Sequence, residues 1–144
     1  MNKYPTLEQK KAAMRVIYDL VNHDNDMSHT DFVYLSNSIL QALMLNLDDF
    51  RDALKEYYKF KSISLIADLN QALLLAFRLL MLEVLTHDGR IPSELEKSDF
   101  EKYHSALPNP DGLPLTYDAM RKRFNRELRL YRIGNLDFSW IHDE

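Results

Sequence analysis

The chain has 144 residues, a length typical of one domain. Its 46% hydrophobic and 28% charged residues exclude disordered and collagen-like chains, and only 3 glycines and 5 prolines argue against a β-sandwich or barrel. The net charge of −4 disfavours a general polyanion binder. The absence of cysteine excludes disulfides, thiolate zinc sites and cysteine nucleophiles.

The N-terminal residues lack the apolar segment of a secretory signal. The most apolar stretch, residues 72–85, is interrupted by Arg78 and Glu83 and is shorter than the ~18–20 residues of a membrane-spanning helix. These features predict a soluble, cytoplasmic protein without a transmembrane segment.

Helical periodicity dominates the first half of the chain. Thr6 and Gln9 have the spacing of a capping box and predict a first helix that ends near His23. A second helix is expected to open at residues 28–31, and a third follows a break at 46–49. The residues expected on the buried faces of these three helices are Met14, Ile17, Tyr18, Val21, Phe32, Leu35, Ile39, Ala42, Leu43, Phe50, Leu54, Tyr57 and Tyr58.

The second half begins with residues 63–87, which are apolar nearly all round and predict a central buried helix, or two helices joined near Asn70. Pro92 is expected at the first position of the next helix. That helix should bury Leu95, Phe100, Tyr103 and Leu107. Residues 108–114, rich in proline, asparagine and aspartate, predict a loop.

Thr116 is expected to cap a last helix that ends at Gly134. Its inward residues are predicted to be Tyr117, Met120, Phe124, Leu128 and Tyr131, and Phe138 and Trp140 of the tail should pack back on the helices. The chain is therefore predicted to be all-α, a compact single domain over residues 1–144 with about six or seven helices.

Two segments, 17–27 and 81–91, match at an offset of 64 residues. Each contains a carboxylate, then a His-Asp pair four residues later, a turn, one apolar residue and the start of a new helix. The two sets are Asp19 with His23-Asp24 and Glu83 with His87-Asp88. The match predicts an internally duplicated bundle, in which Ile91 inserts the second turn into the core.

Residues 86–94, Thr-His-Asp-Gly-Arg-Ile-Pro-Ser-Glu, resemble the Ala-x-Asp-Gly-x-Ile-x-x-Glu signature of the TerB-like (tellurite-resistance) helical domain family. The resemblance covers roughly residues 10–107 and leaves the last helix and aromatic tail, 115–144, as an addition. Thr86 stands in place of the alanine. In the first copy Asn25 replaces the glycine, and Thr30 stands where Glu94 stands.

The resemblance implies an internally duplicated helical fold, an acidic metal-binding cluster and a role in stress or tellurite resistance, often near membranes. The residues that could form the cluster are Asp88, Glu94, Glu83, Asp24, Asp26 and Asp19. Such hard oxygen ligands favour calcium or magnesium.

Other residue patterns bear on metal binding. The Asp19–His23 and Glu83–His87 pairs, four residues apart, could together hold a transition metal, or each could stabilise its own helix end. An EF-hand loop fails in both turns because apolar Leu20 or Val84 falls on the first ligand position, and in the second turn apolar Leu95 also falls on the last. Glu101 and His104 form a single Glu-x-x-His step where a di-iron bundle needs two.

The sequence predicts no catalytic site, because it contains no assembled nucleophile, base, cofactor loop or metal triad. The expected role is therefore that of a non-enzymatic protein.

The last helix suggests an alternative function. That helix carries six basic residues, all between 121 and 132, and two acidic ones, Asp118 and Glu127, whereas residues 1–111 carry 12 basic and 17 acidic residues, a net charge of −5. Lys122, Arg123, Arg126 and Arg129 are the predicted contact residues of a protein-interaction adaptor. Nucleic acid and anionic membrane are less favoured partners of the same face, and the helix could also dock on the acidic body of the protein itself.

Overall fold

The computed structural model describes residues 4–22 and 27–132, without the side chains of residues 59, 60, 131 and 132. Within these ranges the chain forms seven helices and no strand, which confirms the predicted all-α bundle. None of the described helices is long and apolar enough to cross a membrane.

The helices follow one another through short connections. They are α1 (Leu7–Val21); α2, composed of an α-helical segment (His29–Tyr34), a π-helical turn (Leu35–Ile39) and a last turn (Leu40–Leu43); α3 (Leu47–Glu56); α4 (Lys59–Ala67); α5 (Gln71–Thr86), followed by a 3₁₀ turn (His87–Gly89); α6 (Glu94–Ala106); and α7 (Tyr117–Arg132).

Side-chain caps define where the helices begin. Thr6 forms the predicted capping box with Gln9 at the start of α1. Asn70 caps α5, so the apolar segment is two helices joined at that residue, the second of the two predicted arrangements. The expected start of α6 at Pro92 is wrong: Ser93 is its N-cap and forms a capping box with Glu96, which places Pro92 before the helix.

The core is centred on α1 and α5. Every residue of α5 from Phe77 to Thr86 is buried. Helix α1 contacts α3, α4, α5, α6 and the last turn of α2. Burial of a large apolar side chain stabilises the fold by about 1.5–3 kcal/mol, so this shared core is the main source of stability.

Four residues expected in the core are exposed: Phe32, Tyr58, Ile91 and Leu95. Tyr58 and Ile91 each follow an inward residue in extended backbone, where successive side chains point to opposite sides. Leu95 lies beside Glu96, the residue that turns inward at the start of α6. Phe32 precedes the π-helical turn, whose extra residue shifts the apolar stripe of α2.

The helix boundaries reproduce the predicted repeat along the chain. Helices α1 and α5 begin 64 residues apart, at Leu7 and Gln71, and α2 and α6 begin 65 apart, at His29 and Glu94. The difference matches the lengths of α1 and α5, 15 and 16 residues. The first His-Asp turn (residues 23–26), Gly134 and the aromatic tail lie outside the described residues, so a duplication in space stays a prediction.

Candidate functional site

The second His-Asp turn closes tightly after α5. Asp88 and Gly89 have φ angles of 51° and 77°, the left-handed region that aspartate and glycine adopt most easily. A Cβ at Gly89 would meet no atom within 4 Å, so the backbone angle and not space requires the glycine. The turn directs His87 into the protein, where it is 2% exposed, and Asp88 into solvent.

Arg90, the next residue, joins the N-termini of α2 and α6. Its Nε and Nη2 donate to the two oxygens of Asp31 at 2.9 and 3.1 Å, and its Nη1 and Nη2 donate to the two oxygens of Glu96 at 2.7 and 2.6 Å. Both carboxylates are buried and both lie three residues after a serine N-cap, Ser28 or Ser93. One guanidinium therefore links the third residues after the N-caps of two helices.

His87 extends this buried network. Its Nε2 lies 2.9 Å from Asp31 Oδ1, and the Tyr34 ring stacks on the imidazole with centroids 4.1 Å apart. The Tyr34 hydroxyl donates to Glu83 Oε2 at 2.6 Å. Within the described residues, His87 Nδ1 is buried without a hydrogen-bond partner and lies 3.6 Å from Asp88 Oδ2.

Electrostatic interactions favour the ionised forms of Asp31 and Arg90. Burial alone would raise the pKa of Asp31, but hydrogen bonds from Arg90 and His87 outweigh burial and hold that pKa below its ordinary value. Hydrogen bonds to Glu96 and then to Asp31 raise the pKa of Arg90. Arg90, Asp31 and Glu96 therefore form a charged structural clamp at neutral pH.

The predicted metal ligands do not converge within the described residues. Asp88 and Glu94 are exposed, with side chains 84% and 94% accessible, whereas Glu83 is buried and bonded to Tyr34. Asp19 pairs with Arg15 at 3.1 Å. No group of three or more potential ligands is assembled in residues 4–22 and 27–132, while Asp24 and Asp26 lie outside them.

The Glu-x-x-His step serves the fold. Buried Arg78 donates from Nε to His104 Nδ1 at 2.7 Å, and from Nη2 to the carbonyls of His104, Leu107 and Pro108. His104 Nε2 donates to the Pro114 carbonyl at 2.7 Å.

Since His104 Nδ1 accepts and Nε2 donates, this imidazole is neutral, and burial lowers its pKa. Glu101 instead accepts from the backbone N–H of Tyr117 at 2.8 Å, at the start of α7. These contacts anchor the 107–114 loop.

Helix α7 buries four of the five predicted inward residues and displays the predicted basic ones, while the side chain of the fifth, Tyr131, lies outside the described part. Tyr117, Met120, Phe124 and Leu128 are buried, as expected. The four predicted contact residues, Lys122, Arg123, Arg126 and Arg129, are all exposed. The helix bends at Phe124, whose backbone leaves the helical region, and its inner face contacts α5 and α6.

Sequence reasoning missed Asp31, Tyr34, Arg90 and Glu96 as members of the buried network. The Ser-x-x-Glu spacing of Ser93 and Glu96 signals a capping box and could have placed Glu96 at a helix start. No local pattern links Asp31 to His87, which lies 56 residues away.

No family model matches the chain, and no curated protein or solved structure shows detectable similarity to it. The TerB-like resemblance accordingly stays a prediction.

Proposed function

We propose that this protein is a non-enzymatic interaction protein that contacts an acidic protein partner through the exposed side of α7. The observation that supports the proposal is the display of Lys122, Arg123, Arg126 and Arg129 opposite a buried apolar side. Core packing accounts for the apolar side of the helix but not for the outer one.

The basic side chains are little used within the protein. Among the described residues, Arg123 alone of these four has an ion-pair partner, Glu127 at 4.0 Å. Both side chains are partly exposed to water, so this pair contributes little to stability. If the helix docked on acidic residues elsewhere in its own chain, these four basic side chains would form ion pairs with another helix. The described residues contain no such pair. Arginine forks bind carboxylates in pairs, so an acidic protein surface fits the face.

The test is affinity capture from the native host with the wild type and the Arg123→Glu/Arg126→Glu variant. A discrete partner should be retained by the wild type, released by added salt and lost in the variant. Lys61→Glu/Lys102→Glu makes the same change in net charge at exposed positions on α4 and α6 and serves as the control. Capture of the same partner by all three proteins would refute the proposal, and loss of nucleic acid with a steep salt dependence would favour a nucleic-acid face.

A second candidate function is the TerB-like role, in which the turn after α5 binds a divalent cation and the protein acts in stress or tellurite resistance. The observation in its favour is the position of His87 Nδ1. This nitrogen, which could serve as a metal ligand, is buried without a hydrogen-bond partner among the described residues and lies 3.6 Å from the carboxylate of Asp88. A cation held there would take a nitrogen ligand from His87 and an oxygen ligand from Asp88.

Calorimetric titration with calcium, magnesium and zinc tests this second candidate. Binding should raise the melting temperature and should be lost in Asp88→Asn. Asp48→Asn removes an equally exposed carboxylate, 83% against 84%, and is the control. No heat above that of Asp88→Asn for any of the three metals would contradict a site at this turn.

A further inference from the structure

A second surface lies on α2 and α3, formed by residues different from those of α7. An open groove of about 890 Å³ runs along the end of α2 and the start of α3. Its apolar lining residues are Leu40, Met44, Leu45 and Leu47, and its acidic lining residues are Asp48 and Asp49. We call these six residues the α2–α3 groove.

The backbone displays two large apolar side chains there. Met44 and Leu47 are 54% and 60% exposed. Met44 has a φ of 55°, an uncommon conformation for a residue other than glycine. It is fixed by the hydrogen bonds from Met44 N to Gln41 O and from Leu45 N to Leu40 O, at 3.0 and 2.9 Å.

The π-helical turn of α2 directly precedes this end, and such turns are frequent at functional sites. Methionine is also favoured on surfaces that adapt to a partner.

The groove has a negative electrostatic character. Among the described residues that line it, two are carboxylates and none is lysine or arginine. The C-terminus of α2 contributes the negative end of its helix dipole, while Asp48 and Asp49 offset the positive start of α3. Asp48 also contacts Arg51 at 3.4 Å, but both side chains are largely exposed and this pair is weak.

We propose that the α2–α3 groove docks an amphipathic peptide segment of a partner protein that carries lysine or arginine beside its apolar anchors. The apolar anchors would pack between Met44 and Leu47, and the cations would face Asp48 and Asp49. The open shape suits a chain segment, as in other helix-in-groove interactions. The proposal is independent of the basic face of α7.

Methyl labelling of methionine provides the test. Met14, Met81 and Met120 are fully buried, whereas Met44 lies in the groove, and its signal is assigned by its loss in Met44→Leu. Labelled protein is titrated with two synthetic twelve-residue peptides that share leucines at helical spacing and carry either lysine or glutamate elsewhere. We expect the lysine peptide to shift the Met44 methyl signal and to leave the three buried methionine signals in place. It should bind at least ~10-fold more tightly than the glutamate peptide, a difference of about 1.4 kcal/mol in binding free energy.

Matched variants separate specific docking from general attraction to an acidic protein. Leu47→Glu should abolish the shift at Met44, whereas Leu115→Glu, at a leucine that is 61% exposed outside the groove, should keep the affinity. Arg123→Glu/Arg126→Glu should also keep it, so failure here is distinct from failure of the α7 proposal.

Three outcomes would overturn the proposal: no Met44 shift with the lysine peptide, equal binding of the two peptides, or equal losses in the two leucine variants. Sedimentation tests the remaining occupant, a second copy of the chain. A dimer that Leu47→Glu dissociates would replace the partner segment.

Discussion

Replacement of Arg90 by methionine should destabilise the protein by about 3–5 kcal/mol, because it leaves two buried carboxylates without their cation. Arg90 makes four hydrogen bonds to carboxylates, two to Asp31 and two to Glu96, all between 2.6 and 3.1 Å. Each charge-assisted bond is worth about 1.5–3 kcal/mol. Their sum is reduced by the cost of removing three charges from water, so the loss on deletion is smaller than the sum.

Arg90→Lys is the informative companion variant. Lysine keeps the charge but has no planar fork, so it cannot form two parallel hydrogen bonds with each carboxylate. We expect it to recover only part of the stability. Urea denaturation of the wild type and both variants at pH 7 gives the differences in the free energy of unfolding.

The pH dependence supplies a second check on Arg90. The folded-state pKa of Asp31 is lowered, so its stabilisation is present above its unfolded pKa of about 3.9 and is lost as the pH falls through the folded value. The deficit of Arg90→Met should therefore shrink at acid pH, where carboxylates accept protons. A loss below about 1 kcal/mol at pH 7, or a deficit that is constant down to pH 3, would refute the reasoning.

Three further predictions follow from burial and hydrogen bonding. The free energy of unfolding should fall from pH 7 to pH 5, and it should fall less in His104→Gln. Burial lowers the folded-state pKa of His104, so below about pH 6.5 the unfolded chain takes up the proton first. Equal pH slopes of the two proteins, measured by denaturation at a series of pH values, would contradict this. Arg78→Met should cost about 2–4 kcal/mol by the same assay, since His104 Nδ1 and three carbonyls lose their donor. Ile91→Ser should change the free energy of unfolding by less than about 0.5 kcal/mol because Ile91 is 87% exposed. Ile39→Ala, at a fully buried position, should cost about 2–5 kcal/mol. Similar losses in the two variants would show that Ile91 does contact the core.

The helices were predictable because their signals are local. Thr6 with Gln9 and the helical spacing of Met14, Ile17 and Val21 specify α1 without knowledge of the rest of the chain. The same holds for the cap at Thr116, which accepts from Ala119 N and precedes the start of α7.

The side chains of the second turn were misjudged because their partners are distant in sequence. From the sequence, Ile91 is the obvious residue to insert into the core, yet Arg90 turns inward and the extended backbone then directs Ile91 to solvent. The inward position of Arg90 is favourable because carboxylates from two helices meet its guanidinium, and one of them, Asp31, lies 59 residues away. Periodicity contains no information about such a pairing.

The charge segregation seen in the sequence persists in the fold. Among the described residues of the body, Asp31, Glu83 and Glu96 are buried, and so are Lys10 and Arg78, so burial reduces the acidic excess by only one charge. The four predicted contact residues of α7 are exposed. The surface asymmetry therefore arises from both the concentrated basic helix and the acidic excess of the rest of the chain. The resulting field acts within about 8–10 Å at physiological salt, which is the range in which it can orient an acidic partner just before contact.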